Sequence, residues 1–550
     1  MTIYNEYIIL GCGPAGLQLG FYLHKLNKNY IILEKNDKAA SFFDKYPHSG
    51  ELISINKRFN NSNKDDFNLR HDWNSLCNDY NLQFKDFSDD YYPKSEDLVT
   101  YMNTFATYYN LNINYNTNIT YITKKFKSHN PQTDNCELEF VLFGENQTYT
   151  CKYLIVATGL SKMNIPINIL HIKDYSKHYG EFPKGYFLKK ENRKLYNNKR
   201  LLIVGNGNSA FEIANLLNNH CSNIMIIGKT YPKLAFITHY TGDVRTKYMN
   251  FYETFLLKSL NVFDSGYTVS YTIEKTKEDS FILHNGNFNE CGKEFDEIIN
   301  CSGWSFDSSI FDELIKPHLS NNNKYPIIYS DYSSANVPNM FFIGSLMHFN
   351  DHKLSSGGFI HGFRYLIDNF VKINITDFNY TKLNDLTALS DHFKNRINTS
   401  SALYQMYGQL CDVFYYDKNQ QLFIYYEHIP LNYLFSTLNT KIKIPENNTA
   451  FVLTLEYGSK PAHEVHEIWS TTAKLGKESD ARLLHPVLRI CDKGISLEYK
   501  NYLTSYTSIN NNKNITDEIH FIENAFAEFI QDHNYKNKFQ RIIKSYLMEK

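Results

Sequence analysis

The chain has 550 residues and a formal net charge of -1 at pH 7, with 57 lysines and arginines against 58 aspartates and glutamates. A single hydrophobic core stops growing at roughly 250 to 300 residues, so more than one domain is expected. The balanced charge excludes a general attraction to nucleic acid or to an anionic membrane, and this favours a small-molecule substrate. The cysteines form no C-x-x-C pair, which excludes the usual redox-disulphide and zinc patterns.

The N-terminal segment is apolar but does not have the pattern of a targeting signal. It lacks a basic region and is interrupted by Gly11, Gly13 and Pro14. No run approaches the roughly 18 uninterrupted apolar residues of a membrane span, and the final residues YLMEK carry no retention or lipidation signal. We therefore expect a soluble, cytoplasmic protein.

The first predicted βαβ unit lies near the N-terminus. An apolar strand leads into the turn GCGPAG and a helical pattern, and a second apolar strand ends at Glu34. Glycines in such a turn let the backbone approach a pyrophosphate at a helix N-terminus, and an acid at the end of the second strand bonds a ribose hydroxyl. The pattern predicts a dinucleotide site formed by Gly11, Gly13, Pro14, Ala15, Gly16 and Glu34, with Lys35 beside them.

Three further apolar runs each end in a small residue or a glycine. They are YLIVATG at 153–159, EIINCSG at 297–303 and MFFIGS at 340–345. Such runs are typical of buried parallel strands whose C-terminal ends approach a cofactor.

A second glycine-rich turn, GNGNSA, follows the strand LLIV and opens another helical pattern. It predicts a second dinucleotide site formed by Gly205, Gly207, Asn208 and Ser209. The strand after this turn ends with no acid at the ribose position but with Lys229 and Lys233 nearby. A cation there can pair with a 2'-phosphate, so the pattern favours NADPH over NADH; a solvated lysine face is the alternative.

Several longer runs resemble a known family. They are LISINKR at 52–58, FNLRHDWNSL at 67–76, GNGNSAFE at 205–212, THYTGDVR at 238–245, GGFIHGFRY at 357–365 and SALYQMYGQLCDV at 401–413. Together they resemble the FAD-dependent oxidoreductase domain-containing protein 2 family, which is similar in turn to the class B flavin monooxygenases. The resemblance implies FAD at the first site, a nicotinamide domain inserted in the FAD domain, and oxygen insertion.

The implied fold is an α/β two-dinucleotide-binding-domain flavoprotein, a Rossmann-like FAD domain with an inserted NADPH domain, plus a C-terminal mixed α/β extension. We place the FAD domain at 1-165 and 325-378, the NADPH domain at 166-324, and a C-terminal domain of unknown role at 379-550. In such proteins a late strand returns to the flavin, and 342–345 resembles it. The remaining members of the predicted cofactor-binding set are Asn56, Lys57, Asn74, Ile119, Thr158, Gly159, Gly344, Gly358 and Phe359.

Two residues are the candidate catalytic groups. Asn74 resembles the flavin-side asparagine of flavin-containing monooxygenases, and its amide could donate to the oxygenated flavin or the nicotinamide. Alternatively it caps a helix predicted to follow it, and both roles can coexist. Arg245 could clamp a substrate carboxylate because its guanidinium fork matches two oxygens; an ion-paired structural turn is the alternative. Further candidates, each with a surface loop or structural turn as the alternative, are His239, Asp243, Asp351, His352 and Lys353.

The sequence also departs from the class B pattern. Ile165 and Ile167 stand where the fingerprint F-x-G-x-x-x-H-x-x-x-Y has Phe and Gly, although His171 and Tyr175 keep the later spacing. CSGW at 301–304 likewise replaces the ATGY of N-hydroxylases. FAD binding is thus predicted from the glycine turn itself, whereas oxygen insertion is predicted from the resemblance.

The expected activity is that of an NADPH- and FAD-dependent monooxygenase acting through a C4a-hydroperoxyflavin. Its partners would be O2 and a small-molecule substrate with an amine or amino-acid nitrogen, or a sulfur, and the chain could form a homodimer. One alternative is an NADPH-dependent flavin reductase or oxidase acting on a quinone, a disulfide or O2. Another is an FAD-binding scaffold with a protein partner.

Overall fold

The structure is a computed structural model that describes residues 2–130, 135–251, 263–265, 271–285, 293–458, 484–491, 515–521 and 534–548. The predicted regions 166-324 and 379-550 therefore lie partly outside the described residues. Within the described ranges, no helix has both the length and the apolar character needed to cross a membrane.

A first sheet of seven strands is built around short apolar runs. Its strands are β1 (Thr2–Leu10), β2 (Tyr30–Leu33), β3 (Ile113–Asn114), β4 (Ile119–Asn130), β5 (Asn135–Gly144), β6 (Thr148–Val156) and β18 (Met340–Phe342). In the order β3-β2-β1-β6-β5-β4, β1 pairs in parallel with β2 and β6, and β18 pairs in parallel with β6. Consecutive residues Ile8 and Ile9 are both fully buried, as expected for a strand covered on both faces. The return of β18 confirms the late strand predicted at 340–345.

Five helices accompany this first unit. They are α1 (Pro14–Lys25), α2 (Ser41–Lys45), α3 (Asp65–Leu69), α4 (Ser95–Tyr108) and α9 (Ile360–Asn374). Helix α1 connects β1 to β2 and packs against α9. Gly20 permits its close approach to the sheet, because a Cβ at that position would lie 2.7 Å from Cδ1 of Ile32.

The second unit contains a parallel sheet of five strands in the order β12-β11-β10-β16-β9. These strands are β9 (Lys177–His178), β10 (Arg200–Val204), β11 (Asn223–Gly228), β12 (Phe263–Ser265) and β16 (Glu297–Asn300). Its helices are α5 (Ile172–Tyr175), α6 (Lys190–Lys194), α7 (Asn208–Leu217) and α8 (Ala235–Thr238). The chain β10-α7-β11 repeats the plan of β1-α1-β2, which confirms the two-unit architecture predicted from the glycine turns.

A smaller four-stranded sheet covers one face of the second unit. Its strands are β8 (Ile169–Leu170), β13 (Tyr271–Lys275), β14 (Phe281–Asn285) and β15 (Lys293–Phe295). Val204 and Ile227 of the parallel sheet share a core with Ile273 and Leu283 of this sheet. The second unit is therefore buried on that face without help from the first.

A two-stranded link joins the two units. Strand β7 (Lys162–Met163) pairs antiparallel with β17 (Trp304–Ser305). Beyond it, Phe306 and Phe311 already belong to the core of the first unit, and the backbone N–H of Ile122 donates to the carbonyl of Ile310 at 2.8 Å. The predicted limits 166-324 remain a prediction, and the packing returns the chain to the first unit by Phe306.

The C-terminal region forms an antiparallel sheet of six strands in the order β19-β21-β20-β22-β23-β24. The strands are β19 (Tyr380–Leu383), β20 (Leu410–Asp417), β21 (Leu422–Pro430), β22 (Ala450–Glu456), β23 (His485–Cys491) and β24 (Ile515–His520). The helices are α10 (Leu386–Thr399), α11 (Ser401–Gln405), α12 (Leu431–Leu434) and α13 (Asn534–Met548). This arrangement agrees with the predicted mixed α/β extension.

The C-terminal region shares one continuous core with the first unit. Phe414 of β20 and Ile367 of α9 belong to the same buried cluster. Polar contacts add to it: the Arg70 guanidinium donates to the carbonyls of Ile397 at 2.7 Å and Ser400 at 3.0 Å. The two regions therefore stabilise each other.

Candidate functional site

The first glycine turn has a backbone that only glycine fits. Gly11 has a φ of +107°, and a Cβ there would lie 2.9 Å from the carbonyl oxygen of Ala157. A Cβ on Gly16 would lie 2.0 Å from the carbonyl oxygen of Gly11. The turn is thus pressed against the end of β6 and against the start of its own helix.

The N-terminus of α1 is open to a ligand. Gly13 is the N-cap residue and supplies no side-chain cap, and nothing lies within 4 Å of where its Cβ would be. The first turn contains no acidic side chain. The free N–H groups of such a helix start and its partial positive charge suit a pyrophosphate, so Gly13, Pro14 and Ala15 could hold one.

Glu34 closes this site at the end of β2. Its Oε2 accepts a hydrogen bond from the backbone N–H of Cys12 at 2.8 Å, and its Oε1 accepts from the backbone N–H of Asn36 at 3.0 Å. The carboxylate is therefore held against the glycine turn, where the ribose of a dinucleotide would lie. Lys35 is exposed beside it, and Ile119 is buried at the start of β4.

The ends of β6 and β18 meet the same turn. Gly344 has a φ of +74°, and a Cβ there would lie 2.5 Å from Cβ of Ala15. Gly159, one residue after Thr158, has a φ of +63° and lies close to Oγ of Ser345. The structure therefore brings these sequence-distant residues to the predicted first site.

The second glycine turn repeats this backbone. Gly205 has a φ of +106°, and a Cβ there would lie 2.4 Å from the carbonyl oxygen of Cys301. Gly207 is the N-cap of α7, with nothing within 4 Å of its Cβ position and no acid in the first turn. A second pyrophosphate could be held here. Lys229 and Lys233 are both exposed beyond the end of β11.

Asn208 ties this turn to a second loop. Its side-chain amide donates to the carbonyls of Gly242 at 3.2 Å and Asp243 at 2.9 Å, and its Oδ1 accepts from the backbone N–H of Arg245 at 2.9 Å. The side chain of Asn208 thus positions the loop 238–245, while Ser209 stays half-buried behind it. Sequence reasoning had assigned Asn208 to the cofactor alone.

Asn74 lies in a buried loop of the first unit. Its Oδ1 accepts from the hydroxyl of Ser54 at 2.5 Å, and its Nδ2 makes longer contacts with the carbonyls of Ile55 at 3.3 Å and Ser54 at 3.5 Å. The helix predicted after Asn74 is wrong. The Asp72 carboxylate accepts the backbone N–H groups of Asn74 and Ser75, both at 2.9 Å, and this local turn competes with a helix.

Arg364 on α9 fixes the same loop. The guanidinium is fully buried and donates to the carbonyls of Leu69 at 2.7 Å, Asp72 at 3.0 Å and Ser75 at 2.8 Å. Of these three, only the Ser75 carbonyl would have belonged to the helix predicted after Asn74. The segments 357–365 and 67–76 therefore contact each other, which the sequence alone did not reveal.

Arg245 lies where the two units meet. Its guanidinium lies over the ring of Trp73 at 4.8 Å, and the ring of Trp73 also stacks with that of His361 at 4.2 Å. Burial lowers the pKa of Arg245 below its usual value. Trp73 is therefore a platform for Arg245, and a partly desolvated guanidinium attracts a carboxylate more strongly than an exposed one.

Asn56 and Lys57 have different environments. Asn56 is buried and donates to the carbonyl of Ser88 at 2.9 Å, whereas its Oδ1 is buried with no hydrogen-bond partner among the described residues. Lys57 is exposed. An unsatisfied buried acceptor is unusual and suits a ligand donor, so Asn56 fits a binding role better than Lys57.

The segment after β18 contains His348, a residue that sequence reasoning missed. His348 Nδ1 lies 2.7 Å from Oδ1 of Asp351, and its Nε2 lies 2.9 Å from the hydroxyl of Tyr240. Gly358 packs against the ring of His348, and the ring of Phe359 lies 6.1 Å from that of Tyr240. The spacing His348-x-x-Asp351, directly after the late strand, was the available signal.

The remaining candidates lie around this cluster. The ring of His352 is 5.2 Å from those of both His348 and Tyr325, and burial lowers the pKa of His352 to about 3. Lys353 is exposed. His239 stacks on Tyr457 of the C-terminal region at 3.8 Å. The Asp243 carboxylate accepts from the hydroxyl of Thr238 at 2.8 Å.

The described cysteines are not poised for thiol chemistry. Burial raises the pKa of Cys77 and Cys221 to about 12, and it raises the pKa of Cys12 and Cys301 above their usual values. A thiolate is the reactive form of cysteine, so these side chains are inert at neutral pH. The seven cysteines whose side chains the structure describes are all free.

Two units, each with parallel strands around an open glycine turn and the second inserted in the first, define a two-dinucleotide-binding flavoprotein. Residues 8–344 match the model of the family described as pyridine nucleotide-disulphide oxidoreductase. The chain is 31% identical over 522 residues to FAD-dependent oxidoreductase domain-containing protein 2 of Mus musculus, covering 88% of this chain and 76% of that protein. The chain therefore belongs to the pyridine nucleotide-disulphide oxidoreductases and, within them, to the FAD-dependent oxidoreductase domain-containing protein 2 family.

Two further similarities concern the nucleotide-binding part. The probable indole-3-pyruvate monooxygenase YUCCA8 of Arabidopsis thaliana is 25% identical over 232 residues, which is 39% of this chain and 45% of that protein. A flavin-containing monooxygenase from Stenotrophomonas maltophilia superimposes with a TM-score of 0.50 at 14% identity, covering 67% of this chain and 98% of that one. The second likeness shows a shared fold. This protein is thus an FAD-dependent oxidoreductase.

Proposed function

We propose that the chain is an NADPH- and FAD-dependent monooxygenase that oxygenates an amine or amino-acid nitrogen, with a sulfur as the second choice. The observation that carries the proposal is the pair of open glycine turns combined with described cysteines that are all free. A disulfide reductase needs an accessible thiol pair, and none of the described cysteines forms one. O2 then becomes the natural acceptor. The proposed setting is cytoplasmic, without nucleic acid or membrane partners.

The residues of the first turn fit FAD. The open start of α1 would hold the pyrophosphate, and Glu34 would bond a ribose hydroxyl. When bound, FAD takes a hydride from a reduced nicotinamide and makes O2 reactive towards a soft nucleophile. Gly344, at the end of β18, would bring the following turn 344–349 close to the flavin.

The residues of the second turn fit a reduced nicotinamide. The start of α7 would hold its pyrophosphate, and the exposed Lys229 and Lys233 would pair with a 2'-phosphate, which favours NADPH. Asn208 would couple this nucleotide to the loop of Arg245, because it lies in the glycine turn and its side chain bonds that loop.

Asn74 and Arg245 are the proposed substrate-side groups. The Nδ2 contacts of Asn74, at 3.3 and 3.5 Å, are long, so its amide keeps the capacity to donate to a ligand. Arg245, backed by Trp73, would clamp the carboxylate of an amino acid. Substrate nitrogen and carboxylate would then be held between the two units.

The test is a screen of NADPH oxidation across amines, amino acids and thioethers, with isotopically labelled O2 and product mass as the readout. The proposal expects one labelled oxygen in the product for each NADPH consumed. Stoichiometric peroxide whatever substrate is added would overturn it in favour of a flavin reductase or oxidase. Failure of NADPH to reduce the flavin at all would favour the scaffold instead.

A matched pair of substrates tests the clamp. Arg245→Lys keeps the charge but loses the fork, so kcat/KM for an amino acid should fall about tenfold to a hundredfold, as for a lost charged hydrogen bond of about 1.5 to 3 kcal/mol. The corresponding amine without a carboxylate should change less than about twofold. Equal losses for both substrates would exclude a carboxylate clamp at Arg245.

A further inference from the structure

A hydroxyl, an imidazole and a carboxylate lie in a row between the two nucleotide-binding units. The hydroxyl of Tyr240 lies 2.9 Å from Nε2 of His348, and Nδ1 of His348 lies 2.7 Å from Oδ1 of Asp351. All three residues are buried, with His348 and Asp351 each only 2% exposed. We call Tyr240, His348 and Asp351 the relay triad.

The hydrogen bonds around Asp351 fix the direction of the row. Its Oδ2 accepts from the hydroxyl of Ser355 at 2.6 Å and from the backbone N–H of Gly357 at 2.8 Å. A carboxylate that accepts these bonds also accepts from His348, so the proton of the imidazole lies on Nδ1. Nε2 is then the acceptor, and the Tyr240 hydroxyl donates to it. The phenol oxygen keeps its lone pairs for another donor.

Each member of the relay triad packs against a glycine. A Cβ on Gly357 would lie 2.3 Å from Oδ1 of Asp351, and one on Gly358 would lie 2.7 Å from Cδ2 of His348. A Cβ on Gly242 would lie 2.6 Å from the ring of Tyr240. The backbone at these three positions has no positive φ that would itself demand glycine. Glycine at these positions therefore leaves the space that the side chains of the triad occupy.

The relay triad spans the junction that a nicotinamide must cross to reach the flavin. Tyr240 belongs to the loop 238–245, which Asn208 of the second turn holds in place. His348 belongs to the turn 344–349, which follows strand β18 into the first site. The relay triad therefore links the loop beside the second nucleotide site to the turn beside the first.

The position and polarity of the row match hydroxyl–imidazole–carboxylate arrangements that move protons. Burial, with the nearby charge of Asp351, raises the pKa of Tyr240 above its usual value, so the phenol keeps its proton until an imidazole takes it. Other titratable groups face the triad from the elements around it, namely Asp243, Lys324, Tyr325, His352, Lys353 and Tyr407.

We propose that Tyr240 is a catalytic base that deprotonates the reacting nitrogen and passes its own hydroxyl proton to Nε2 of His348. An N–H bond of the substrate ammonium breaks as an O–H bond forms on Tyr240, and the former O–H proton becomes N–H on His348. No electrons change hands. The neutral nitrogen can then attack an electrophilic oxygen. His348 and Asp351 are positioning residues, since Asp351 holds the imidazolium. This inference rests on the proposed function.

The first arm of the test uses the protein without cofactors. With histidine labelled by 15N, the resonances of His348 are those lost in His348→Gln, and the triad predicts a proton on Nδ1 and none on Nε2. Tyr240→Phe should shift the Nε2 resonance. Tyr325→Phe is the matched control, because it removes a buried phenol of the same cluster whose nearest histidine is His352. A proton on Nε2, or no response to Tyr240→Phe, would overturn the relay.

The second arm measures product formation against pH. General acid–base catalysis contributes about 100-fold to 10,000-fold, so Tyr240→Phe and Asp351→Asn should each lower kcat at neutral pH by about 100-fold. At high pH the substrate loses its proton to water, and the deficit should shrink. Tyr325→Phe should stay within about twofold of the wild type at each pH. A deficit equal at all pH values would indicate a purely structural contact and would overturn the inference.

The two arms separate the inference from the proposed function. If the wild type forms no oxygenated product, the proposed function fails, and the protonation of His348 still decides whether the relay exists. If product forms and the Tyr240→Phe profile follows the wild type, the relay fails and the monooxygenase stands.

Discussion

The two glycine turns share one backbone but differ at the ends of the strands that follow. Gly11 and Gly205 have φ angles of +107° and +106°, and Gly13 and Gly207 both face open space. The first unit then places Glu34 against its turn, whereas the second ends in Lys229 with no acid. The comparison indicates that a glycine turn of this shape suits a pyrophosphate in either unit, whereas the side chains at the end of the next strand are the ones that differ.

The largest expected effect comes from filling each turn. Gly16→Ala would place a methyl 2.0 Å from a carbonyl oxygen of its own turn, so the protein should lose FAD and much of its stability. Gly205→Ala should leave FAD bound and abolish its reduction by NADPH. Flavin absorbance and the reduction rate distinguish the two. Gly13→Ala is the control for folding. A Cβ at that position meets nothing within 4 Å, so the protein without FAD should fold as the wild type does.

Glu34→Gln is the next test of the comparison. The substitution removes a charged acceptor of the Cys12 N–H, and such bonds contribute about 1.5 to 3 kcal/mol, so the Kd for FAD should rise about tenfold to a hundredfold. Equilibrium dialysis of the released flavin measures it. Glu96→Gln, at an exposed position of the same unit, should leave the Kd unchanged; an equal rise there would show that net charge, not Glu34, matters.

A smaller effect is expected at the second unit. Replacing both Lys229 and Lys233 by alanine should lower kcat/KM for NADPH about tenfold and change kcat/KM for NADH little. The effect is modest because each exposed ion pair contributes about 1 kcal/mol at most. The loss should shrink as salt is added. Lys190→Ala, another exposed lysine of this unit, is the control. Equal losses with both nucleotides would remove the case for a 2'-phosphate site.

The smallest expected effect concerns Glu212, a buried acid on the helix that follows the second glycine turn. Glu212 on α7 is buried and accepts from the backbone N–H of Ser49 at 2.6 Å and the hydroxyl of Tyr179 at 2.8 Å. Burial raises the pKa of Glu212 above its usual value. A raised folded-state pKa gives a contribution that is present below the unfolded pKa and lost as pH rises through the folded one.

Glu212→Gln cannot lose a proton, so its Tm should rise relative to the wild type as pH increases from about 5 to about 8. Thermal unfolding at several pH values measures the difference. Glu191→Gln, an exposed acid of the same unit, should show no such trend. A difference that falls with pH would mean that the ionised carboxylate is the stabilising form.

The sequence predicted what depends on neighbours along the chain. Strand, glycine turn and helix are adjacent in each unit, so their period and spacing located Gly11, Gly205 and Glu34. The late strand 340–345 was found because it ends in glycine. Its return to the first unit was expected from the family resemblance, whereas its pairing with β6 is seen only in the structure.

Contacts between distant segments were beyond such reasoning. Tyr240 meets His348 across 108 positions, and Glu212 meets Ser49 across 163. The helix predicted after Asn74 failed for a local reason instead, because the Asp72 carboxylate accepts hydrogen bonds from the backbone N–H groups of Asn74 and Ser75. The shared core between α9 and the C-terminal sheet also depends on tertiary packing, which periodicity does not encode.

The shared core of the first unit and the C-terminal region also affects the order in which parts of the protein can fold during synthesis. The first glycine turn leaves the ribosome early, but the sheet around it lacks its last strand until Met340–Phe342 has been made, and α9 stays uncovered until β21 follows. We therefore expect FAD uptake to follow the synthesis of this last strand. A nascent chain stalled before the C-terminal sheet would carry the glycine turn yet expose the apolar side of α9 to chaperones and proteases.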